Sequence, residues 1–192
     1  MSKKHLQKIT KTDNHQGVIA LKGKEEEKSI KEIIENAYNQ KRDPYLIFVR
    51  DVQYEGNLGA IIRTAEAAGL DGVIVPPKIE ITSQTVRAAM GATEHIPVTH
   101  IGLFQGIKIA KEMGLQIVGI ELTGNDYYFK TNLTLPTLLI IGGEDKSLSE
   151  EVADKCDSIV KIPMKGKVNS LNMSVAAAIV IYDRIRQEFI PN

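Results

Sequence analysis

From residue 45 onwards the chain alternates short apolar runs with amphipathic stretches, and glycine or proline punctuates most of the changes. Apolar runs bounded by turn residues read as strands, while apolar residues recurring at three- and four-residue spacing read as helices. This pattern predicts strands over 45–52, 72–75, 97–101, 116–122, 135–141 and 158–162. It predicts helices over 58–68, 84–90, 103–113, 149–155 and 171–187. Gly69, Gly91 and Gly114 each follow a predicted helix, at the left-handed cap position. An earlier helix over 29–40 places Ile30, Ile33, Ile34 and Ala37 on one face and breaks at Lys41-Arg42-Asp43-Pro44. Before it come a loosely held basic arm, 1–14, and a short strand over 15–20.

The strands are continuous apolar runs, as strands covered on both faces should be. Their alternation with helices predicts an α/β domain, a mostly parallel sheet with helices on both faces. The final helix is apolar on nearly every face through its first three turns. Such a helix is either central to the domain or buried against a second subunit.

At 192 residues the chain suits one domain, taken here as 15–192 behind the arm. Charge is balanced, 24 Lys+Arg against 24 Asp+Glu, so no global field attracts a polyanion and nucleic acid must be met by a local patch. One imbalance exists near the start, where Lys3, Lys4, Lys8, Lys11, Lys22 and Lys24 face only Asp13; charge alone favours reading it as a solvated arm. The single cysteine, Cys156, excludes an intrachain disulfide and a cysteine-based zinc cluster, and suits a reducing cytoplasm. No metal site is expected. No apolar run reaches the ~20 residues that cross a bilayer, so no membrane is expected either.

In an open parallel sheet, ligands gather beyond the carboxyl ends of the strands. Three such ends are rich here: 53–59 leading to Arg63, 142–147, and 163–172. No dinucleotide fingerprint and no phosphate-binding GxxxxGK[ST] is present. Three segments do occur in order: Asn57-Leu58-Gly59-Ala60-Ile61-Ile62-Arg63-Thr64-Ala65, Ile140-Ile141-Gly142-Gly143-Glu144, and Ile162-Pro163-Met164 followed by Ser170-Leu171-Asn172-Met173-Ser174. Together they resemble the three motifs of the SpoU/TrmH family of the SPOUT superfamily, RNA ribose 2′-O-methyltransferases that use S-adenosylmethionine. Gly91-Ala92-Thr93-Glu94-His95-Ile96-Pro97 is similar to the family's segment between its first two motifs. His15-Gln16-Gly17-Val18 is similar to the stretch entering the domain in members that modify ribosomal RNA.

The resemblance implies a homodimer, a C-terminal deep trefoil knot that no periodicity reveals, and RNA as substrate, ribosomal RNA ahead of tRNA. It implies a catalytic set of Arg63, Asn57, Glu144, Ser170 and Asn172. It implies cofactor contacts from Gly142, Gly143, Ile162, Met164 and Leu171, and RNA contacts from Lys165, Lys167 and Arg87. Local readings stand beside these: Asn57, Ser170 and Asn172 could cap helices, Asn169 likewise, and Tyr54, Glu55, His95 and the lysines could be ordinary surface. Asp145-Lys146-Ser147 stands where the family's second motif often has a further glycine. Many relatives carry a separate N-terminal RNA-binding domain, where this chain offers the basic arm. A non-catalytic RNA-binding or ribosome-assembly module on the same dimer is the alternative.

Overall fold

The computed structural model describes residues 3–10, 26–142 and 148–190. The strand expected over 15–20, the loop residues Gly143, Glu144, Asp145, Lys146 and Ser147, and part of the basic arm lie outside them. Within the arm, Lys3–Thr10 forms a helix, α1, and Leu6 on it is buried.

The order thereafter is α2 (Ile30–Asn39), β1 (Tyr45–Val49), α3 (Glu55–Ala67), β2 (Gly72–Val75), α4 (Ser83–Ala88), a 3₁₀ turn (Ala92–Glu94), β3 (Val98–His100), α5 (Leu103–Glu112) and β4 (Gln116–Ile120). Then come β5 (Asp126–Tyr127), a second 3₁₀ turn (Tyr128–Lys130), β6 (Thr137–Ile141), α6 (Glu150–Ala153), β7 (Ser158–Lys161) and α7 (Met173–Phe189). Among the described residues seven strands form one sheet in the order β3-β2-β1-β6-β4-β7-β5, with every pairing parallel.

Alternating side chains of each strand serve opposite faces. Tyr45, Ile47 and Val49 of β1, with Leu139 and Ile141 of β6, enter the core beneath α3 and α7. Leu46 and Phe48, with Leu138 and Ile140, enter the core beneath α2 and α5. Past the first residues of β1, β6 and β4, Tyr45, Thr137 and Gln116, the central strands are therefore without polar side chains, as the sequence pattern requires.

Local chemistry sets the boundaries. Ser29 caps α2 in a reciprocal box, its hydroxyl accepting from the Glu32 N–H while the Glu32 carboxylate accepts from the Ser29 N–H. Gly69, Gly91 and Gly114 have φ of 74°, 91° and 84°, which suits residues without a Cβ. β6 starts at Thr137 rather than 135, because Pro136 has no N–H to give the ladder. β1 ends at Val49, and after the Arg50 N–H bonds the Ile141 carbonyl the chain leaves the sheet. α3 begins at Glu55, three residues before the predicted start, with Tyr54 as its N-cap residue. The 3₁₀ turns and β5 were not expected from the pattern.

Candidate functional site

Because all strands run the same way, the ends of β1, β6, β4 and β7 open side by side on one edge. The three motif segments leave the sheet at β1, β6 and β7. β4 lies between β6 and β7 and is followed by Glu121, which no motif marks in the sequence. The Glu121 carboxylate accepts from the Leu148 N–H at 2.8 Å and from the Leu122 N–H at 2.9 Å. It ties the far end of the segment after β6 to the end of β4. A lone glutamate after an apolar strand was the available signal, and loop acids commonly have no such role.

The decisive contact joins the first and third motifs, 115 residues apart: Asn172 Nδ2 donates to Asn57 Oδ1 at 2.9 Å. Asn172 is also the cap of α7, its Oδ1 accepting from the Ser174 N–H (2.9 Å), the Val175 N–H (3.4 Å) and the Ser174 hydroxyl (2.7 Å). One side chain thus starts the last helix with its oxygen and holds the first motif with its nitrogen. Asn57 is 7% exposed and lies in the first turn of α3, so it does not cap that helix. Asn169 and Ser170 do not cap α7, which starts two residues later than expected.

Gly59 explains the small residue of the first motif. A Cβ there would stand 2.5 Å from the Ala88 Cβ and 2.6 Å from the Thr85 carbonyl oxygen, so α3 and α4 cross backbone to backbone. Glu55 supports the same junction by accepting from the Thr82 hydroxyl at 2.6 Å, and Thr82 caps α4.

Arg63 follows Gly59 by one turn on the same side of α3, whereas Asn57 lies about a third of a turn round and about 9 Å back along the axis. The arginine is exposed and makes no hydrogen bond or ion pair with the described residues. Within a single chain Arg63 therefore does not join the asparagine pair. Arg87 is exposed in the last turn of α4, and Lys165, Lys167 and Ser170 are exposed on the loop after β7.

Gly142 is buried directly after β6, and Ile162, Met164 and Leu171 are partly buried around the exit from β7. Gly143 and Glu144 lie outside the described residues. Half-covered apolar side chains beside main-chain groups at the ends of β6 and β7, with β4 between them, suit an adenine ring, which needs flat apolar walls and edge hydrogen bonds. Burial, then the Asp157 carboxylate, push the Cys156 thiol up to about 11, which disfavours its thiolate form. Among the described residues no group of His, Cys, Asp and Glu could hold a metal ion, and no helix is long and apolar enough to cross a membrane.

The sequence model of the SpoU rRNA Methylase family matches residues 44–182. This chain belongs to the SpoU/TrmH family. It is 34% identical over 179 residues to the TrmH-family protein YacO of Bacillus subtilis, covering 92% of this chain and 72% of that one. It is 41% identical over 148 residues to an uncharacterized tRNA/rRNA methyltransferase of Archaeoglobus fulgidus, covering 76% and 66%. Among solved structures, the SpoU methyltransferase AviRb of Streptomyces viridochromogenes in complex with AdoMet (S-adenosylmethionine) superposes with a TM-score of 0.71 at 30% identity, over 79% of this chain and 60% of that one. A structure of an RNA 2′-O ribose methyltransferase gives 0.72 at 28%, over 77% and 58%. The chain thus spans about two thirds of the Archaeoglobus relative and about 60% of these solved chains.

Proposed function

We propose that the protein is an S-adenosylmethionine-dependent RNA methyltransferase acting on a ribose 2′-hydroxyl, with ribosomal RNA the first candidate and tRNA the second. The Asn172–Asn57 bond carries this reading, because it joins two of the motifs at the edge of the sheet where parallel α/β folds gather their ligands. Gly142, Ile162, Met164 and Leu171, with Gly143, are assigned to the cofactor, which supplies an electrophilic methyl group on a sulfonium. Asn57, Asn172, Ser170 and Glu144 are assigned to shaping and orienting the site beside it, and Lys165, Lys167 and Arg87 to RNA phosphates.

Arg63 is assigned to the attacking hydroxyl. With a methyl donor bound, negative charge would develop on the hydroxyl oxygen as its proton departs, ahead of full bonding to the methyl carbon. A guanidinium, protonated at any working pH, stabilises that charge and orients the hydroxyl but cannot take the proton. The proton leaves to a phosphate oxygen or water.

The position of Arg63 on an exposed face favours a site completed by a second copy. Val175, Tyr182 and Phe189 are 47%, 47% and 82% exposed and lie seven residues apart on α7, a stripe suited to helix–helix contact in a homodimer. A C-terminal knot is supported by the segment between β4 and β6. A Cβ on Gly124 would meet the backbone of Ile159, Val160 and Lys161 at 2.7–2.9 Å. On α7, Gln187 accepts from the Leu133 N–H and donates to the Thr131 carbonyl. That segment is thus held against both β7 and α7, as a loop around a threaded chain would be. The reducing cytoplasm is the compartment that fits the lone cysteine.

The test is ribose-methylation mapping of total RNA from cells lacking the gene, rescued with wild type or with Arg63→Ala. Wild type should restore a missing 2′-O-methyl and Arg63→Ala should bind cofactor without restoring it. Near wild-type methylation by Arg63→Ala would remove the arginine from the mechanism. Cofactor binding without methyl incorporation by wild type would favour a non-catalytic RNA-binding module.

A further inference from the structure

Beside β7, at the outer edge of the sheet, stand three consecutive aromatic residues. Tyr128 turns inward and packs against the core beneath α7. Its neighbours turn outward: Tyr127 is 37% and Phe129 41% exposed, and their rings stack with centroids 5.4 Å apart and planes 4° from parallel. The Lys161 and Lys130 ammonium groups lie 5.3 and 5.9 Å from the Tyr127 ring centre. Phe129 also meets Tyr128 edge-on, with ring centroids 5.2 Å apart and planes at 81°, yet Tyr127 and Phe129 both keep more than a third of their surface exposed. The ammonium groups lie over the Tyr127 ring, so the pair offers exposed aromatic surface for a base and charge for the adjoining phosphates, a combination found in single-strand binders. Asp126 beside them is a carboxylate that this surface must tolerate.

Tyr127 pairs in register with Lys161, one residue before the loop from Ile162 to Asn172. Strand spacing of about 4.8 Å puts the rings one strand from that loop and about 19 Å, four strands, from the Asn57 end of β1. That separation is too long for the reacting nucleotide and suits one beside it.

We propose that Tyr127 and Phe129, with Lys130 and Lys161, form a stacking platform for an unpaired base flanking the methylated nucleotide in single-stranded RNA. The proposal rests on the methyltransferase reading above. It is tested with the full chain by fluorescence anisotropy, using a fluorescein-labelled single-stranded 12-nucleotide oligouridine, alongside calorimetric titration with S-adenosylmethionine. The double variant Tyr127→Ala/Phe129→Ala should bind the oligonucleotide about 5- to 100-fold more weakly and keep its cofactor affinity. Phe129→Trp should retain wild-type RNA affinity. Lys130→Gln with Lys161→Gln should flatten the slope of log affinity against log salt by about 0.7 for each phosphate that is no longer neutralised. Wild type that does not bind the oligonucleotide, or unchanged affinity in the double variant, overturns the platform. So does a fall in molar mass by light scattering in the double variant, which would make the rings a protein–protein contact. Failure of wild type to bind S-adenosylmethionine would instead strike the methyltransferase reading, whatever the oligonucleotide does.

Discussion

Asn172→Ala should damage fold and site together, because one side chain serves both. Its oxygen caps α7, and losing an asparagine cap costs about 1 kcal/mol. Its nitrogen donates to Asn57, and depriving a buried amide of a partner costs about 1–2 kcal/mol. Together these give about 2–3 kcal/mol, or a fall in Tm of about 5–10 °C for a chain of this size. Asn172→Asp separates the two roles. The carboxylate keeps the cap and adds a favourable charge at the helix N-terminus, worth about 0.3–1 kcal/mol, but has no N–H to offer Asn57. Its Tm should fall less than that of the alanine variant, while S-adenosylmethionine affinity by calorimetry falls in both. The cross-motif bond is isolated by a cycle of Asn57→Ala, Asn172→Ala and the double variant, in which coupling should reach about 1 kcal/mol. An Asn172→Ala protein as stable as wild type, or single effects that add to within about 0.3 kcal/mol, would refute the reasoning.

Gly59→Ala should force α3 and α4 apart at a cost of about 1–3 kcal/mol, seen as a lowered Tm; wild-type melting would contradict the backbone-to-backbone crossing. With its thiol pushed up to about 11, Cys156 should react with iodoacetamide at pH 8 about a hundredfold more slowly than a free thiol, and reaction at the free rate would be the opposing result. The Ser29 hydroxyl, then its N–H, hold the Glu32 carboxyl below the usual value, so the cap's contribution is full above the ordinary glutamate range. It is lost as pH falls through the folded-state value. Urea melts of wild type and Glu32→Gln should therefore differ at pH 7 and converge in acid, and a gap that widens in acid would reverse the sign.

The apolar runs of β1, β2, β4 and β6 are legible in the sequence because these strands are buried on both faces, and positive-φ Gly69 and Gly114 mark the ends of α3 and α5. After α4 the left-handed cap position falls instead to Met90, and Gly91 starts the 3₁₀ turn. β5 escaped because a two-residue strand has no period to detect, although Tyr127-Tyr128-Phe129 favours extended backbone. The end of β1 was overrun because Arg50–Val52 continue a plausible strand while its ladder partner stops at Ile141. In the site, residue types were readable and partnerships were not. Nothing within 57–63 tells that Asn57 faces α7 while Arg63 emerges on the α4 side, or that Asn172 rather than Ser170 starts the last helix. Those facts depend on where elements 115 residues apart come to rest.

A cleft away from the motif segments gives the central claim a built-in competitor. A polar cleft of about 760 Å³ lies at the opposite edge of the sheet, between residues 41–43, Asp71 and Arg184. Ultraviolet cross-linking of radiolabelled S-adenosylmethionine, followed by peptide mapping, distinguishes the two edges directly. Label in peptides containing Gly142 or residues 162–172 is the predicted result. Label confined to peptides bordering the cleft at Asp71 and Arg184 would contradict the account.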